Sequence, residues 1–83
     1  MPILIMFRSL TYAQRGAQAL ERFGISASVT KAPVKMTDKG CSYCVRISDG
    51  RERQALISLD RKGIQYGRVF RIDPDGEYQE VLP

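Results

Sequence analysis

A repeated hexapeptide constrains this chain more than any other part of its sequence. "LERFGI", residues 20–25, returns as "LDRKGI", residues 59–64, so the pattern Leu-acid-Arg-x-Gly-Ile recurs with an offset of 39 residues. In each copy, helical periodicity precedes the glycine, strand character follows it, and the glycine stands where a left-handed helix C-cap is expected. The chain is therefore predicted to contain two copies of one helix-to-strand unit.

A strand is also predicted before each helix. The same offset aligns "LIMFR", residues 4–8, with "YCVRI", residues 43–47, which makes the order βαββαβ. With right-handed crossovers, two such halves most simply form an α+β, ferredoxin-like fold. In that fold, a four-stranded antiparallel sheet carries both helices on one face.

The two predicted helices have apolar stripes for the core and polar residues where an N-cap belongs. The first stripe is Ala13, Ala17, Leu20 and Phe23, and the second is Ala55, Leu56 and Leu59, with Ile57 outside it. The predicted N-cap is Ser9 or Thr11 for the first helix, and Ser48 or Asp49 for the second.

The length of 83 residues predicts one domain, residues 1–83, with its core at about 3–72 and a C-terminal turn and tail at 73–83. A domain of this size buries roughly 60 to 65 per cent of its surface and has little room for a deep catalytic cleft. We therefore expect a carrier, a binding module or a subunit, without independent catalytic turnover.

The composition excludes several kinds of chemistry. The chain has no histidine, so Ser-His, Cys-His and His-carboxylate catalysis are excluded within a single chain, and no cofactor is expected. The net charge of +4 suits an anionic partner, although 9 acidic residues are interspersed among 13 basic ones. The N-terminal "MPILIMF" falls far short of the ~20 residues that span a bilayer. No membrane association is expected, and two close cysteines without a secretory signal indicate the cytoplasm.

The two cysteines, Cys41 and Cys44, are spaced C-x-x-C at the start of the third predicted strand, and three uses are open. On an extended strand their Cα atoms would lie about 10 Å apart, so a disulfide requires the strand to begin late. A metal site needs more ligands, which would come from carboxylates or from a second chain in a homodimer. The third use is one reactive thiol.

Strand alternation separates the two thiols. If the apolar residues of 43–47 face the helices, Cys44 points to the open face of the sheet beside Arg46. Cys41 lies after a glycine at the beginning of the strand, next to a loop that carries Lys35 and Lys39. A partly exposed thiol among cations has a lowered pKa and is nucleophilic. The alternative for both cysteines is that they serve as small hydrophobic residues.

The order of these segments resembles the small prokaryotic domains known as selenium/sulfur carrier-like proteins. The resemblance runs from Ile3 to about Ile72, and its most recognisable motif is a cysteine-glycine pair leading into a strand with an apolar-Arg-apolar triplet, here residues 45–47. Cys41 occupies the motif cysteine. Ser42 replaces the usual glycine, and Cys44 stands where a small residue is common. The resemblance therefore implies a role for Cys41 alone.

The leading hypothesis is a carrier that holds sulfur or selenium on Cys41 as a persulfide or selenosulfide and passes it from a donor protein to an acceptor protein. Lys35, Lys39 and Arg46 would stabilise the anion and bind acidic partners, and Cys44 is a candidate resolving thiol. The second hypothesis is a non-catalytic interaction or regulatory module that uses the open sheet face. RNA binding, the third, is disfavoured because Tyr43, the one aromatic residue of this strand, has core parity, and Tyr66 and Phe70 on the last strand are expected to pack.

Overall fold

The computed structural model describes residues 2–33 and 42–81, which form two helices and five strands. In chain order these are β1 (Ile3–Phe7), α1 (Leu10–Arg22), β2 (Ser28–Lys31), β3 (Tyr43–Ile47), α2 (Glu52–Arg61), β4 (Val69–Ile72) and β5 (Tyr78–Glu80). The predicted order βαββαβ is therefore followed by one further strand.

All five strands form one antiparallel sheet in the order β2-β3-β1-β4-β5. The α+β prediction is confirmed, but the sheet has one strand more than the four predicted. The fifth strand results from the predicted turn at residues 73–76. There the Asp73 carboxylate accepts hydrogen bonds from the backbone N–H groups of Asp75 and Glu77, and Gly76 has a φ of +83°. The turn reverses the chain so that β5 pairs with β4.

Both helices pack on the same face of the sheet. Alternate residues of the central strands point to this face, as a strand requires, and meet the apolar stripes of α1 and α2. The helix-face cluster, which is the main core, consists of Ile3, Ile5, Phe7, Ala13, Ala17, Ala19, Leu20, Ile25, Val45, Ile47, Ala55, Leu56, Leu59 and Val69. The prediction that two helices share one face is thus confirmed.

The first helix packs unusually close to β1 because Gly16 faces the ring of Phe7. A Cβ atom at Gly16 would lie 2.6 Å from the Cζ atom of Phe7. The helix begins where predicted, since the Ser9 hydroxyl accepts a hydrogen bond from the Tyr12 N–H at 3.2 Å. Phe23, however, is the C-cap residue and is 44% exposed, so its assignment to the core was wrong.

The second helix begins later than predicted. Its N-cap is Arg51, which makes no side-chain capping bond, so the assignment of the cap to Ser48 or Asp49 was wrong. The physical reason is a turn at Gly50, which has a φ of +90° and donates its N–H to Glu52 at 2.8 Å. Glu52, in the first turn of the helix, therefore stabilises the turn that leads into it.

The two helices end in the same way, which confirms the repeat in structural terms. Gly24 and Gly63 have φ values of +80° and +69°. The residue after each glycine donates its N–H back to the leucine of the motif, from Ile25 to Leu20 at 2.9 Å and from Ile64 to Leu59 at 3.0 Å. This is the bond pattern of a Schellman C-cap, and it turns the chain toward the sheet in both halves.

The sheet face away from the helices is also buried at its centre. The buried residues on this face form what we call the second cluster. They are Leu4, Met6, Ala32, Cys44 and Phe70, with Ile72 and Tyr78 packed against them. Met6 is only 1% exposed and Cys44 is fully buried. The expectation of an open sheet face is therefore wrong for these positions.

Candidate functional site

Three of the predicted site residues, Cys41, Lys35 and Lys39, lie outside the described residues. The strands before and after them in the chain are β2 and β3. Ser42, the next residue in the chain, accepts a hydrogen bond from the Ala32 N–H at 2.9 Å. This bond continues the pairing of β2 with β3. The chain therefore enters β3 from a fixed point beside the end of β2.

We call this end of the sheet the entry end. The register of the strands shows which elements meet there. Tyr43 of β3 is paired with Phe7, the last residue of β1, and with Lys31, the last residue of β2. The start of β4 lies here too, because the Gly67 N–H donates to the Met6 carbonyl at 2.7 Å. The entry end is thus the place where β1 and β2 finish and where β3 and β4 begin.

The described part of the entry end is electropositive. Helix α1 begins directly after β1, and its first turn contains no acidic residue, so the partial positive charge of its N-terminus is not offset there. Arg8 and Lys31 are both exposed. Arg68, at the start of β4, forms an ion pair with Glu80 at 2.9 Å, and hydrogen bonding to Arg68 lowers the Glu80 pKa. Such surroundings favour anions.

Cys44 lies in the second cluster, between Met6 of β1 and Thr30 of β2. The prediction that its side chain points away from the helices is confirmed, but the thiol is buried rather than open to solvent. Its one hydrogen-bond partner in the described structure is the Lys31 carbonyl, 4.0 Å from the sulfur. Burial raises the pKa of the thiol above its ordinary value. The neutral thiol is therefore the favoured form at neutral pH.

The burial of the second cluster also bears on the other two hypotheses. An interaction module that uses the centre of this face would need Met6 and Phe70 to be accessible, yet both are buried. RNA binding would need aromatic rings displayed on the same face. Tyr43 instead packs against the helix-face cluster, as its parity predicted, and Phe70 is 5% exposed. Neither hypothesis gains support at this face.

Arg46 is exposed, as expected of a binding residue, but it lies near the other end of β3. Its cross-strand partners are Leu4 and Ser28. It lines a concavity of about 370 Å³ together with Pro2, Ser26, Ser28, Ile47, Ser48 and Asp49. The structure therefore does not place Arg46 at the entry end with Arg8 and Lys31.

Arg71 is a charged residue that sequence reasoning missed. Its guanidinium donates from Nη2 to Glu52 at 2.7 Å and from Nε to Asp49 at 3.3 Å. The two carboxylates are 19 and 22 residues away in the chain, so no local pattern indicates the contact. Arg71 is paired with Ile3 of β1, and Ile3 is paired with Ile47 at the end of β3, so the sheet brings Arg71 near the segment that leads into α2.

The residues described, 2–33 and 42–81, contain no group of three or more His, Cys, Asp or Glu side chains that could hold a metal ion. The same residues include no helix long and apolar enough to cross a membrane. A metal site shared between two chains would use Cys41, which lies outside the described residues.

Comparison with known proteins identifies a family. No curated protein and no solved structure is significantly similar to the chain. A family model described as "Putative Se/S carrier protein-like" matches residues 3–71, a span that covers both halves of the repeat. The chain therefore belongs to the Se/S carrier protein-like family.

Proposed function

We propose that this protein carries sulfur or selenium on Cys41 and transfers it between a donor protein and an acceptor protein, without catalytic turnover of its own. Two observations support the proposal. The family match covers the strands and the helix that meet at the entry end. The other cysteine, Cys44, is buried and has a raised pKa, which leaves Cys41 as the thiol for chemistry. The burial of Cys44 is the observation on which the choice of Cys41 over Cys44 rests.

The proposed transfer is balanced without an external oxidant or reductant. The Cys41 thiolate attacks the terminal sulfur of a donor persulfide, a new S–S bond forms, and the donor S–S bond breaks. The donor leaves as a thiolate, and Cys41 becomes a persulfide. An acceptor nucleophile then takes the terminal sulfur in the same way, which regenerates the Cys41 thiolate. The selenium version passes through a selenosulfide.

The charges around the entry end suit both the thiolate and the persulfide anion. Positive groups near a thiol lower its pKa and so increase the thiolate fraction. Arg8, Lys31 and the start of α1 are the described sources of positive potential. We propose that Lys35 and Lys39 add to it, as the sequence predicts, and that the net charge of +4 favours acidic donor and acceptor surfaces. Arg46, near the other end of β3, has no part in this sulfur chemistry.

Cys44 is a resolving thiol only if the second cluster opens. Resolution would require the Cys44 thiolate to attack the Cys41 sulfur, release hydrosulfide and leave a Cys41–Cys44 disulfide. The Cys44 thiol is fully buried, and the second cluster would have to separate before it could react. We therefore propose that the persulfide is passed on rather than resolved while the protein stays folded.

We also propose that β1 to β4 with the two helices are a ferredoxin-like unit to which β5 is added. The supporting observations are the order β2-β3-β1-β4 within the sheet and the packing of both helices on one face. The chain would act in the cytoplasm, where thiols are kept reduced.

The carrier proposal is tested by intact-protein mass spectrometry after incubation with a cysteine desulfurase and cysteine. We expect the wild type and Cys44→Ser to gain the mass of one sulfur atom, and Cys41→Ser to gain none. A parallel incubation with a selenocysteine lyase and selenocysteine distinguishes selenium from sulfur. Omission of the enzyme is the control for spontaneous adducts.

The proposal fails if no variant gains mass while both thiols are present and reduced. It also fails if the adduct persists in Cys41→Ser and disappears in Cys44→Ser, because the buried thiol would then be the carrier. Circular dichroism of each variant confirms that loss of the adduct does not reflect unfolding.

A further inference from the structure

The end of the sheet opposite the entry end contains a polar concavity that the carrier proposal does not use. It lies where β1 and β2 begin and β3 finishes, and we call it the Arg46 concavity. Its volume is about 370 Å³, and it is lined by Pro2, Ser26, Ser28, Arg46, Ile47, Ser48 and Asp49. The described lining thus combines one guanidinium, three hydroxyl groups and one carboxylate.

Arg46 has no partner within the described part of the chain. No carboxylate there lies within 4.0 Å of its guanidinium, and no hydrogen bond to its side chain is formed. The hydroxyls of Ser26, Ser28 and Ser48 likewise make no hydrogen bond within these residues. Ser28 stands directly opposite Arg46 in the register, which places the two Cβ atoms about 4.5 to 5.5 Å apart. Donors without partners are therefore concentrated on one small surface.

Asp49 is the one carboxylate among the described lining residues, and it pairs with Arg71, which is not part of the lining. Its Oδ1 accepts a hydrogen bond from Arg71 at 3.3 Å. Glu52 shares the same guanidinium, and it also lies in the first turn of α2, where the helix dipole stabilises a negative charge. Since the two carboxylates share one guanidinium, Arg71 does not balance both of their charges, and Arg46 is the one cationic side chain among the described lining residues.

We propose that the Arg46 concavity binds a small oxyanion, such as phosphate or sulfate, or the same group carried by a small metabolite. A guanidinium offers two parallel N–H donors that fit two oxygens of such an anion, and serine hydroxyls donate to the others. Pro2 and Ile47 supply the apolar part of the lining. The volume leaves room beyond an inorganic ion for the rest of a small phosphomonoester.

This site is independent of Cys41. It lies where β3 ends, whereas Cys41 precedes β3 in the chain, and the described lining residues include no thiol. A Cys41→Ser variant should bind the oxyanion as well as the wild type does, so that failure of the carrier proposal and failure of this one are distinguishable.

The test is a titration of the ¹⁵N-labelled full chain with sodium phosphate and with sodium sulfate, followed by amide chemical shifts at constant ionic strength. We expect saturable shifts confined to residues 26–28 and 46–49. Arg46→Gln should weaken binding at least about tenfold, and Arg46→Lys, which keeps the charge but loses the fork, should weaken it less. Ser28→Ala should also weaken binding, which tests the hydroxyl contribution.

The matched control is Arg15→Gln, which removes one positive charge from an exposed position in α1 outside the concavity. It should leave the affinity unchanged. Glycerol phosphate distinguishes the two ligand sources: tighter binding than inorganic phosphate indicates a phosphorylated metabolite, and weaker binding indicates the free ion.

Three results would overturn the inference. The first is an absence of saturable shifts, and the second is an equal loss of affinity in Arg15→Gln and Arg46→Gln, which would indicate diffuse attraction to a basic protein. The third is binding of acetate as tightly as phosphate, which would indicate a carboxylate site. The dispersion of the amide spectrum shows whether each variant is folded. If Arg46→Gln does not fold, Arg46→Lys still tests the inference.

Discussion

The thiol of Cys44 shows how far a single residue can be understood from its sequence. Strand alternation predicted that it points away from the helices, and it does. The alternation could not predict burial, because that depends on Met6 and Phe70 from two other strands being packed on the same face. Arg71 is a similar case, since its two carboxylate partners come from a distant segment. The sequence predicts which face of a strand a side chain points to more readily than it predicts which residues surround that side chain.

We expect the Cys44 thiol to be slow to alkylate in the folded protein. Burial blocks the reagent and raises the pKa, and each unit of pKa lowers the thiolate fraction about tenfold at neutral pH. The measurement is the rate of iodoacetamide labelling of Cys41→Ser, in which Cys44 is the remaining cysteine. The rate should be at least about tenfold lower in buffer than in denaturant. Equal rates would show that the second cluster opens readily and would restore Cys44 as a resolving thiol.

The same burial predicts a dependence of stability on pH. The Cys44 pKa is raised in the folded state above the ordinary value of 9.0, so in the unfolded chain the thiol ionises first. Its full contribution to stability is present below pH 9.0 and is lost as the pH rises through the folded pKa. Denaturant titrations of Cys41→Ser should therefore show a steeper loss of stability above this pH than titrations of Cys41→Ser/Cys44→Ala. Parallel curves would contradict the assigned cause.

At the scale of elements, the contact between α1 and β1 depends on a residue without a side chain. The helix pattern of the first half predicted the stripe of small and apolar residues, and Ser9 was among the predicted caps. That Gly16 faces the ring of Phe7 could not be predicted, because this contact depends on the position of the helix over the sheet. Gly16 therefore looks unfavourable in a helix until its packing is considered.

We expect Gly16→Ala to destabilise the protein although alanine is the better helix former. The intrinsic preference for alanine is about 1 kcal/mol, whereas overpacking a core costs about 1 to 3 kcal/mol. The added Cβ would lie 2.6 Å from a ring that is 1% exposed, so the ring and its neighbours must shift. The overpacking cost should prevail, with a net loss of up to about 2 kcal/mol in the free energy of unfolding.

A double-mutant cycle tests the assigned contact. Phe7→Leu shortens the side chain and makes room for the new methyl group, so Gly16→Ala should cost less in that background than in the wild type. Gln14→Gly and Gln14→Ala, at an exposed position of the same helix, measure the intrinsic preference alone. A stabilising Gly16→Ala, or a cost independent of residue 7, would show that the contact does not limit the packing.

At the scale of the whole molecule, most of the prediction of the fold came from the internal repeat. Its offset indicated the strand-helix-strand halves and the left-handed glycines that end both helices. The fifth strand was recognised only as a turn with an extended tail, because a three-residue segment such as 78–80 has too short a pattern to distinguish an edge strand from a free end. The Arg46 concavity could not be predicted either, since it combines the beginnings of two strands with the end of a third.

The added strand gives a test of whether the first four strands and the two helices fold by themselves. A chain that ends at residue 76 loses β5, together with Tyr78 from the second cluster and the bond from the Val81 N–H to the Val69 carbonyl at 2.7 Å. The exposed pair of Arg68 with Glu80 is also lost, at a cost of about 0 to 1 kcal/mol. Both helices and the pairings among β1, β2, β3 and β4 are left intact.

We expect the shortened chain to unfold cooperatively at a lower midpoint temperature, with a loss of about 2 to 3 kcal/mol for the removed hydrogen bonds and apolar contacts. A domain of this length is stable by about 4 to 12 kcal/mol, so the fold should survive. Thermal unfolding followed by near-ultraviolet circular dichroism makes the measurement, with Tyr78→Ala as the variant that removes the side chain but keeps the strand. If the shortened chain lacks a cooperative transition while Tyr78→Ala retains one, the backbone pairing of β5 with β4 is indispensable. The unit that folds would then be the five-stranded sheet rather than the repeated halves from which its sequence is built.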